Sequence, residues 1–410
     1  MSMVALQSID KADTAWVLVA TAMVLMMTLP GLALFYAGLV RKKNVVNTLM
    51  SVFAIACVVT LLWFAVGYSL AFTAGSSWLG GLGRAGFAAL RFDLQGGQLS
   101  VSHLAPHLPE SAYAMFQLAF AIITTALLVG AVVERMRFTA LLLFSALWCV
   151  LIYAPIAHWV WEPGGWLAQL GALDFAGGAV VHVNAGVAAL VCAYILGPRH
   201  NYGREAFEPF SLGWSAMGAA LLLFGWLGFN AGSALAADGR AALALAVTLV
   251  AAAAAGLSWM VVEWAIRGAP TLLGLLSGML GGLVAITPAA GFVQVGSGAL
   301  IGLAAGITCY WGATWLKRRL RADDSLDVFG VHGVGGVLGS VLTAVFADPV
   351  ISGVHANLLS QVTAVAAVAA YSAAGTALLL LLVRLVMPLR VSAPVEQQGL
   401  DLAIHMERQH

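Results

Sequence analysis

Apolar stretches of about 20 residues recur along the chain, each ended by a short run of glycine, proline or charged residues. Their approximate edges are 14–40, 46–72, 111–133, 138–160, 177–197, 210–236, 241–266, 272–289, 296–316, 328–347 and 357–387. A helix needs about 20 apolar residues to cross a hydrocarbon core of ~30 Å. The pattern therefore predicts an all-α polytopic membrane protein with eleven transmembrane helices. Composition strengthens this reading, because the 410 residues are 61% hydrophobic and only 9% charged, against about 25% charged in ordinary soluble domains. Mean hydropathy is +0.95. Glycine fills 45 positions, and small residues let helices approach closely where lipid gives apolar side chains no reason to associate. A tight bundle follows.

Charge then orients the bundle. Basic residues follow the odd-numbered helices: Arg41, Lys42 and Lys43, then Arg135 and Arg137, Arg199 and Arg204, Arg267, and Lys317, Arg318, Arg319 and Arg321. With Arg384, Arg390 and Arg408, all 19 but Lys11, Arg84, Arg91 and Arg240 fall on one side. Positively charged loops stay cytoplasmic, so the expected orientation has the N-terminus outside and the C-terminus inside. Net charge of +1 argues against a nucleic-acid partner. Cys57, Cys149, Cys192 and Cys309 lie in apolar segments without CxxC spacing, which suggests packing residues and not a disulfide or zinc framework. The leading MSMVALQSIDKADTAW lacks the parts of a cleavable signal, so insertion is assigned to the first helix.

An odd number of helices in a repeat inverts the second copy. Helices 1–5 and 6–10 divide the chain in this way, with one histidine in each fifth helix: His182 in DFAGGAVVHVNAGVAALV and His332 in DVFGVHGVGGVLGSV. A lone buried histidine is often structural, but two at corresponding repeat positions mark a functional site, because ionisable groups at membrane depth are costly. Each is preceded by a glycine-rich segment running back to an aspartate, Asp174 or Asp327. Such a chain enters the membrane partly non-helical, so the histidines should meet near the midplane. Neutral imidazoles each offer one donor and one acceptor, enough to share a proton and pass a small polar molecule. Two nitrogens alone make a poor zinc site, and no nucleophile accompanies them, so no metal, cofactor or enzymatic chemistry is expected.

Phe116 and Phe120 are four residues apart, as are Phe229 and Ser233, so each pair shares a helix face. All four fall in the outer half, beside Trp161. An aromatic wall attracts a small cation by roughly 0.5–2 kcal/mol, and Ser233 can accept one N–H bond; ordinary core or belt aromatics would show the same spacing. Asp174 is read either as a nearby negative charge for that cation or as the cap of helix 5. Glu134 and Glu263 lie at helix ends.

The segments GLALFYAGLVRKKN (31–44), GAVVERMRF (130–138), DFAGGAVVHVNAG (174–186), GWLGFNAGS (225–233) and DVFGVHGVGG (327–336) resemble the signature segments of the ammonium transporter (Amt/Mep/Rh) family, in the family's order. The likeness runs from about residue 10 to 348, with a weaker echo at 396–407, and is nearer the bacterial Amt branch. It implies a homotrimer in the bacterial inner membrane with one pore per subunit. It further implies an outer ammonium site of Trp161, Phe120 and Ser233 with Phe116 and Asp174 close by, a gate of Phe120 and Phe229, and a pore lined by His182 and His332. Ammonium would be bound outside and deprotonated, with ammonia crossing the dry pore. A proton following it would make transport electrogenic; a passive ammonia channel is the alternative.

The chain divides on this reading into a membrane domain, 1–390, and a cytoplasmic tail, 391–410. The tail EQQGLDLAIHMERQH resembles one that docks on the neighbouring subunit and can meet a PII-type signal protein; a merely solvated tail is the other reading. Met406 stands where the family usually has glycine. A one-residue insertion between Trp161 and Asp174 places Glu162 and Pro163 at the vestibule rim. An ammonium sensor acting through a cytoplasmic partner is a further alternative.

Overall fold

The computed structural model describes residues 9–88, 90, 92–93 and 98–409; Arg91 and the first eight residues of the leading segment lie outside the described residues. Its apolar helices are α1 (Lys11–Leu39), α2 (Lys42–Phe72), α3 (Glu110–Val132), α4 (Phe138–Gln169), α5 (Gly178–Leu196), α6 (Leu212–Gly232), α7 (Gly239–Arg267), α8 (Leu272–Ile286), α9 (Val295–Leu320), α10 (Phe329–Phe346) and α11 (Leu358–Val386). All but α8 are long and apolar enough to cross a membrane among the described residues. The apolar periodicity therefore located every helix to within a few residues, except that α4 continues past a turn at Glu162. Between α2 and α3, where no structure was expected, Val101–Ser102 pairs antiparallel with Ala105–Pro109.

α3 is buried on nearly every face and forms the axis of the bundle. α1 packs on α6, and α7 packs on α8 and α9. The two histidine helices cross reciprocally: the start of α5 lies on the body of α10, and the start of α10 on the body of α5. This is the contact pattern expected of inverted copies. Glycine makes the crossing possible, since a Cβ on Gly186 would strike the backbone of Gly333, and one on Gly336 would fall 3.0 Å from the His182 Cβ. Both histidines lie in wide, under-wound first turns, Gly178–Val183 and Phe329–Gly333, a feature frequent at functional sites. Three cysteines are buried as packing residues, but Cys57 points outward.

At the Arg41 end of the bundle the basic residues do more than orient it. Glu134, fully buried, accepts from the Arg41 guanidinium at 2.8 Å and from Arg199 at 3.2 Å. Arg199 also pairs with Asp323 at 2.8 Å, and buried Arg135 donates to the Asp323 carbonyl and the Ser325 hydroxyl. Phe207 lies between the Arg41 and Arg199 guanidiniums, about 4.4 and 4.3 Å from each. The connections after α1, α3, α5 and α9 are thereby held as one unit.

The tail closes against the same end. Asp401 accepts from the Val46 and Asn47 amides at the start of α2, Leu400 N–H donates to Asn44 Oδ1, and Glu396 accepts from His200 N–H and Arg390. These bonds hold the tail against the start of α2 and the connection after α5. Met406 adopts the left-handed region at φ 57°, where a side chain is strained and glycine is not.

Three outcomes are expected. Glu134→Gln removes the buried charge shared by part-exposed Arg41 and by Arg199, which keeps Asp323, and should cost roughly 1.5–3 kcal/mol, read from thermal unfolding in detergent. Burial alone would raise the Glu134 and Asp323 carboxyls, yet Arg199 with Arg41, and Arg199 with Arg135, hold them below the usual range. The stability they contribute is thus present above about pH 4 and lost as pH falls through their lower folded values, a loss that Glu134→Gln should diminish. Met406→Gly should stabilise the docked tail by about 1 kcal/mol, seen as slower hydrogen exchange at 400–405.

Candidate functional site

Three cavities follow one another through the bundle, the first two of them along α3. The first, about 260 Å³, opens at the Trp161 end and is lined by Tyr113, Phe116, Gln117, Phe120, Trp161, Pro163, Phe175 and Ser233, with Leu104 and Leu235 at its edge. The Phe120 and Phe229 rings close its floor, stacked at 4.1 Å between centroids and 22° between planes. Below them lies a constriction of about 20 Å³, lined by His182, His332, Trp226, Phe229 and aliphatic side chains, room for about one water-sized molecule. The third cavity, about 280 Å³, widens toward the Arg41 end and shares Phe35, Tyr36, Leu280 and His332 with the constriction.

The first cavity is built by aromatic packing on α3 and α4. Phe116 meets Phe120 edge-on at 5.0 Å, Phe120 meets Trp161 edge-on at 5.8 Å, and Phe72 stacks on Trp161 at 6.5 Å. The Trp161 Nε1–H donates to the Asp174 carbonyl at 2.8 Å, which fixes the indole. Ser233 Oγ–H donates to the Phe229 carbonyl at 2.8 Å, so toward the cavity the hydroxyl can only accept. Of the rim insertion, Pro163 lines the cavity, whereas the Glu162 carboxylate turns back to the Gly164 amide and His103 Nε2 at 3.1 Å.

Asp174 does not line this cavity. Its two carboxylate oxygens accept from the amides of Gly177, Gly178, Ala179 and Val180 at 2.5–3.1 Å, so the geometry favours the capping reading. These amides are the unpaired first donors of a helix that starts inside the protein. The matching acid before α10 is Asp324, not Asp327: Asp324 accepts from the Phe329 amide at 2.7 Å and stands eight residues before its histidine, as Asp174 does. Asp327 instead pairs with Lys317 at 2.7 Å.

His182 and His332 meet through their Nδ1 atoms at 3.2 Å, with ring centroids 5.2 Å apart. Only one proton fits between two such nitrogens, so one ring donates and the other accepts. His182 stacks on Trp226 at 5.2 Å, and its buried Nε2 has no partner among the described residues. The pair therefore presents a polar atom to an otherwise apolar constriction. Trp226, Tyr113 and Gln117 were not singled out from the sequence, although Trp226 lies within GWLGFNAGS and Tyr113, Phe116 and Phe120 share one helix face.

The sequence profile of the Ammonium Transporter Family matches residues 15–410. The chain belongs to that family. It is 45% identical to an ammonium transporter of Bacillus subtilis over 97% of this chain and 98% of the relative, and 46% identical to one of Aquifex aeolicus over 98% and 93%. Among solved structures, it matches Saccharomyces cerevisiae Mep2 with a TM-score of 0.85 at 37% identity, covering 94% of this chain and 89% of Mep2. A "Sensor Amt Protein" matches with a TM-score of 0.88 at 29% identity, over 96% and 98%. The family profile also takes in α11, which lies between the motif likeness up to 348 and its weaker echo at 396–407. The chain is thus a multi-pass membrane protein of the ammonium transporters.

Removing the helix-5 cap should be costly to the fold. Asp174→Ala leaves four amides without their acceptor and should destabilise the transporter by about 2 kcal/mol or more, measured by thermal unfolding in detergent, with Asp174→Asn recovering part of the loss.

Proposed function

We propose that this transporter binds ammonium in the Trp161-side cavity, removes one proton there, and passes ammonia between His182 and His332 to the Arg41 side. The reading rests on one observation above all: the 3.2 Å bond between the two imidazoles lies in an apolar constriction directly beneath the Phe120–Phe229 stack. Trp161, Phe120 and Phe116 supply ring faces for the cation, and Ser233 supplies an acceptor. Phe120 and Phe229 form the gate and give way for each molecule. Asp174 serves the site from behind, by holding the start of α5 and the Trp161 indole.

Selection follows from deprotonation. Potassium and ammonium are alike in size and charge, so ring faces alone do not separate them. Any bare cation entering the constriction would lose its hydration with nothing comparable in exchange. Ammonium can leave its proton and continue uncharged; potassium cannot. Beyond the gate, the histidine pair gives ammonia a donor and an acceptor. The proton follows along the histidines or a water file, so the passage moves net charge.

The basic residues at the Arg41 end support an orientation with that end and the C-terminus in the cytoplasm and the N-terminus outside, in a bacterial inner membrane. Residues 1–390 form the membrane domain and 391–410 the tail. Each subunit of a homotrimer carries its own pathway, and the tail is the contact for a PII-type signal protein.

The test is the charge carried by the full-length protein reconstituted in liposomes on a solid-supported membrane. An ammonium pulse should give a current and a potassium pulse none. Ammonia flux without current would make the protein a passive gas channel; absence of both would overturn the proposal.

A further inference from the structure

Phe175, in the wall of the Trp161-side cavity, has a cation built against it. Arg240 is the second residue of α7, and its guanidinium carbon stands 5.0 Å from the ring centroid of Phe175 and 5.0 Å from that of Phe292. The Arg240 Nε–H donates to the Gly291 carbonyl at 2.9 Å, and the Phe175 amide donates to the Pro288 carbonyl at 3.1 Å. A Cβ on Gly291 would strike the Phe175 ring, so glycine, ring and guanidinium are closely fitted behind the wall. Arg240 also lacks a carboxylate of its own. Arg84, at the same end of the bundle, pairs with Glu110 at 2.7 Å, whereas Arg240 makes no salt bridge among the described residues and gives its Nε–H to a neutral carbonyl. Asp238 accepts from the Arg240 and Ala241 amides with Oδ1, so it caps α7 and offsets only part of the charge.

We infer that Arg240 is an affinity-setting residue: a fixed positive charge behind Phe175 that weakens the cavity's hold on ammonium and directs the ion toward the other rings. The inference rests on the proposed binding of ammonium in this cavity. A ring face attracts a cation through its quadrupole, and Phe175 already gives that attraction to the guanidinium. A second cation within about 6 Å of the same ring would lie no more than about 11 Å from the guanidinium. Like charges at that range, in surroundings between protein and water, weaken binding by about threefold. Trp161, Phe120 and Phe116 have no guanidinium over their faces among the described residues, so they are the rings left for the ion. Ammonia is uncharged and feels no such repulsion.

The experiment measures ammonium half-saturation from transport currents of the reconstituted full chain, at low and high sodium chloride, for wild type, Arg240→Met and Arg240→Lys. Arg240→Met keeps the length and the packing on the rings but removes the charge, and should lower half-saturation about threefold at low salt. That gap should narrow at high salt, where the wild-type charge is screened. Arg240→Lys keeps the charge and should stay near wild type. A residue that only holds Phe175 in place would instead raise half-saturation when replaced, with no dependence on salt. If Arg240→Met does not yield folded protein, Arg240→Gln, which can still donate to the Gly291 carbonyl, takes its place with the same expectation. Half-saturation at or above wild type in the uncharged variant, or a gap that salt leaves unchanged, would overturn the inference. Failure of the wild type itself to respond to ammonium would overturn the proposed function instead.

Discussion

Two imidazoles 3.2 Å apart at the centre of an apolar bundle exist only because two backbones come almost into contact around them. Gly186 lies against Gly333, and Gly336 against the first turn of α5; any larger residue would part the helices and the rings with them. The starts of both helices are held by buried acids, Asp174 on four amides and Asp324 on the Phe329 amide. The same pieces thus recur in both halves: a capping aspartate, seven residues of chain, and a histidine in an under-wound turn.

Around this centre the protein places different chemistry on the two faces. On the Trp161 side the cavity is aromatic and nearly free of fixed charge, with Glu162 and Asp174 bonded elsewhere. On the Arg41 side the wide cavity meets Glu263, Arg267 and Asp327, backed by the ion network of Arg41, Glu134, Arg199, Asp323 and Arg135. On the proposed reading an ion is attracted by ring faces and the Ser233 hydroxyl on one side, and the product is released among charges on the other. The dry constriction between them lets a neutral molecule through far more readily than an ion.

Much of this was legible in the sequence, for physical reasons. Helices in lipid must be long and apolar, so every span could be counted, and a histidine inside such a span is costly enough to declare itself. Overall glycine content announced close helix packing, and the glycine-rich runs before the histidines a partly non-helical entry. Three features were harder to read. Asp324 was passed over for Asp327 because the glycine pattern, not the spacing of eight, guided the comparison. Arg135 and Arg199 read as topology signals, since nothing local reveals that a loop arginine folds inward onto Glu134 or Asp323. Gln117 lay between two conspicuous phenylalanines, and only the fold shows that it joins them in the cavity wall.

The central claim is that the histidine pair makes the pathway selective by conducting an uncharged molecule. It is tested most directly by recording ammonium and potassium currents side by side for His182→Ala and His332→Ala in liposomes. Each variant should lose the ammonium-specific current or admit potassium alongside it. Currents and potassium exclusion identical to wild type in both variants would contradict the claim.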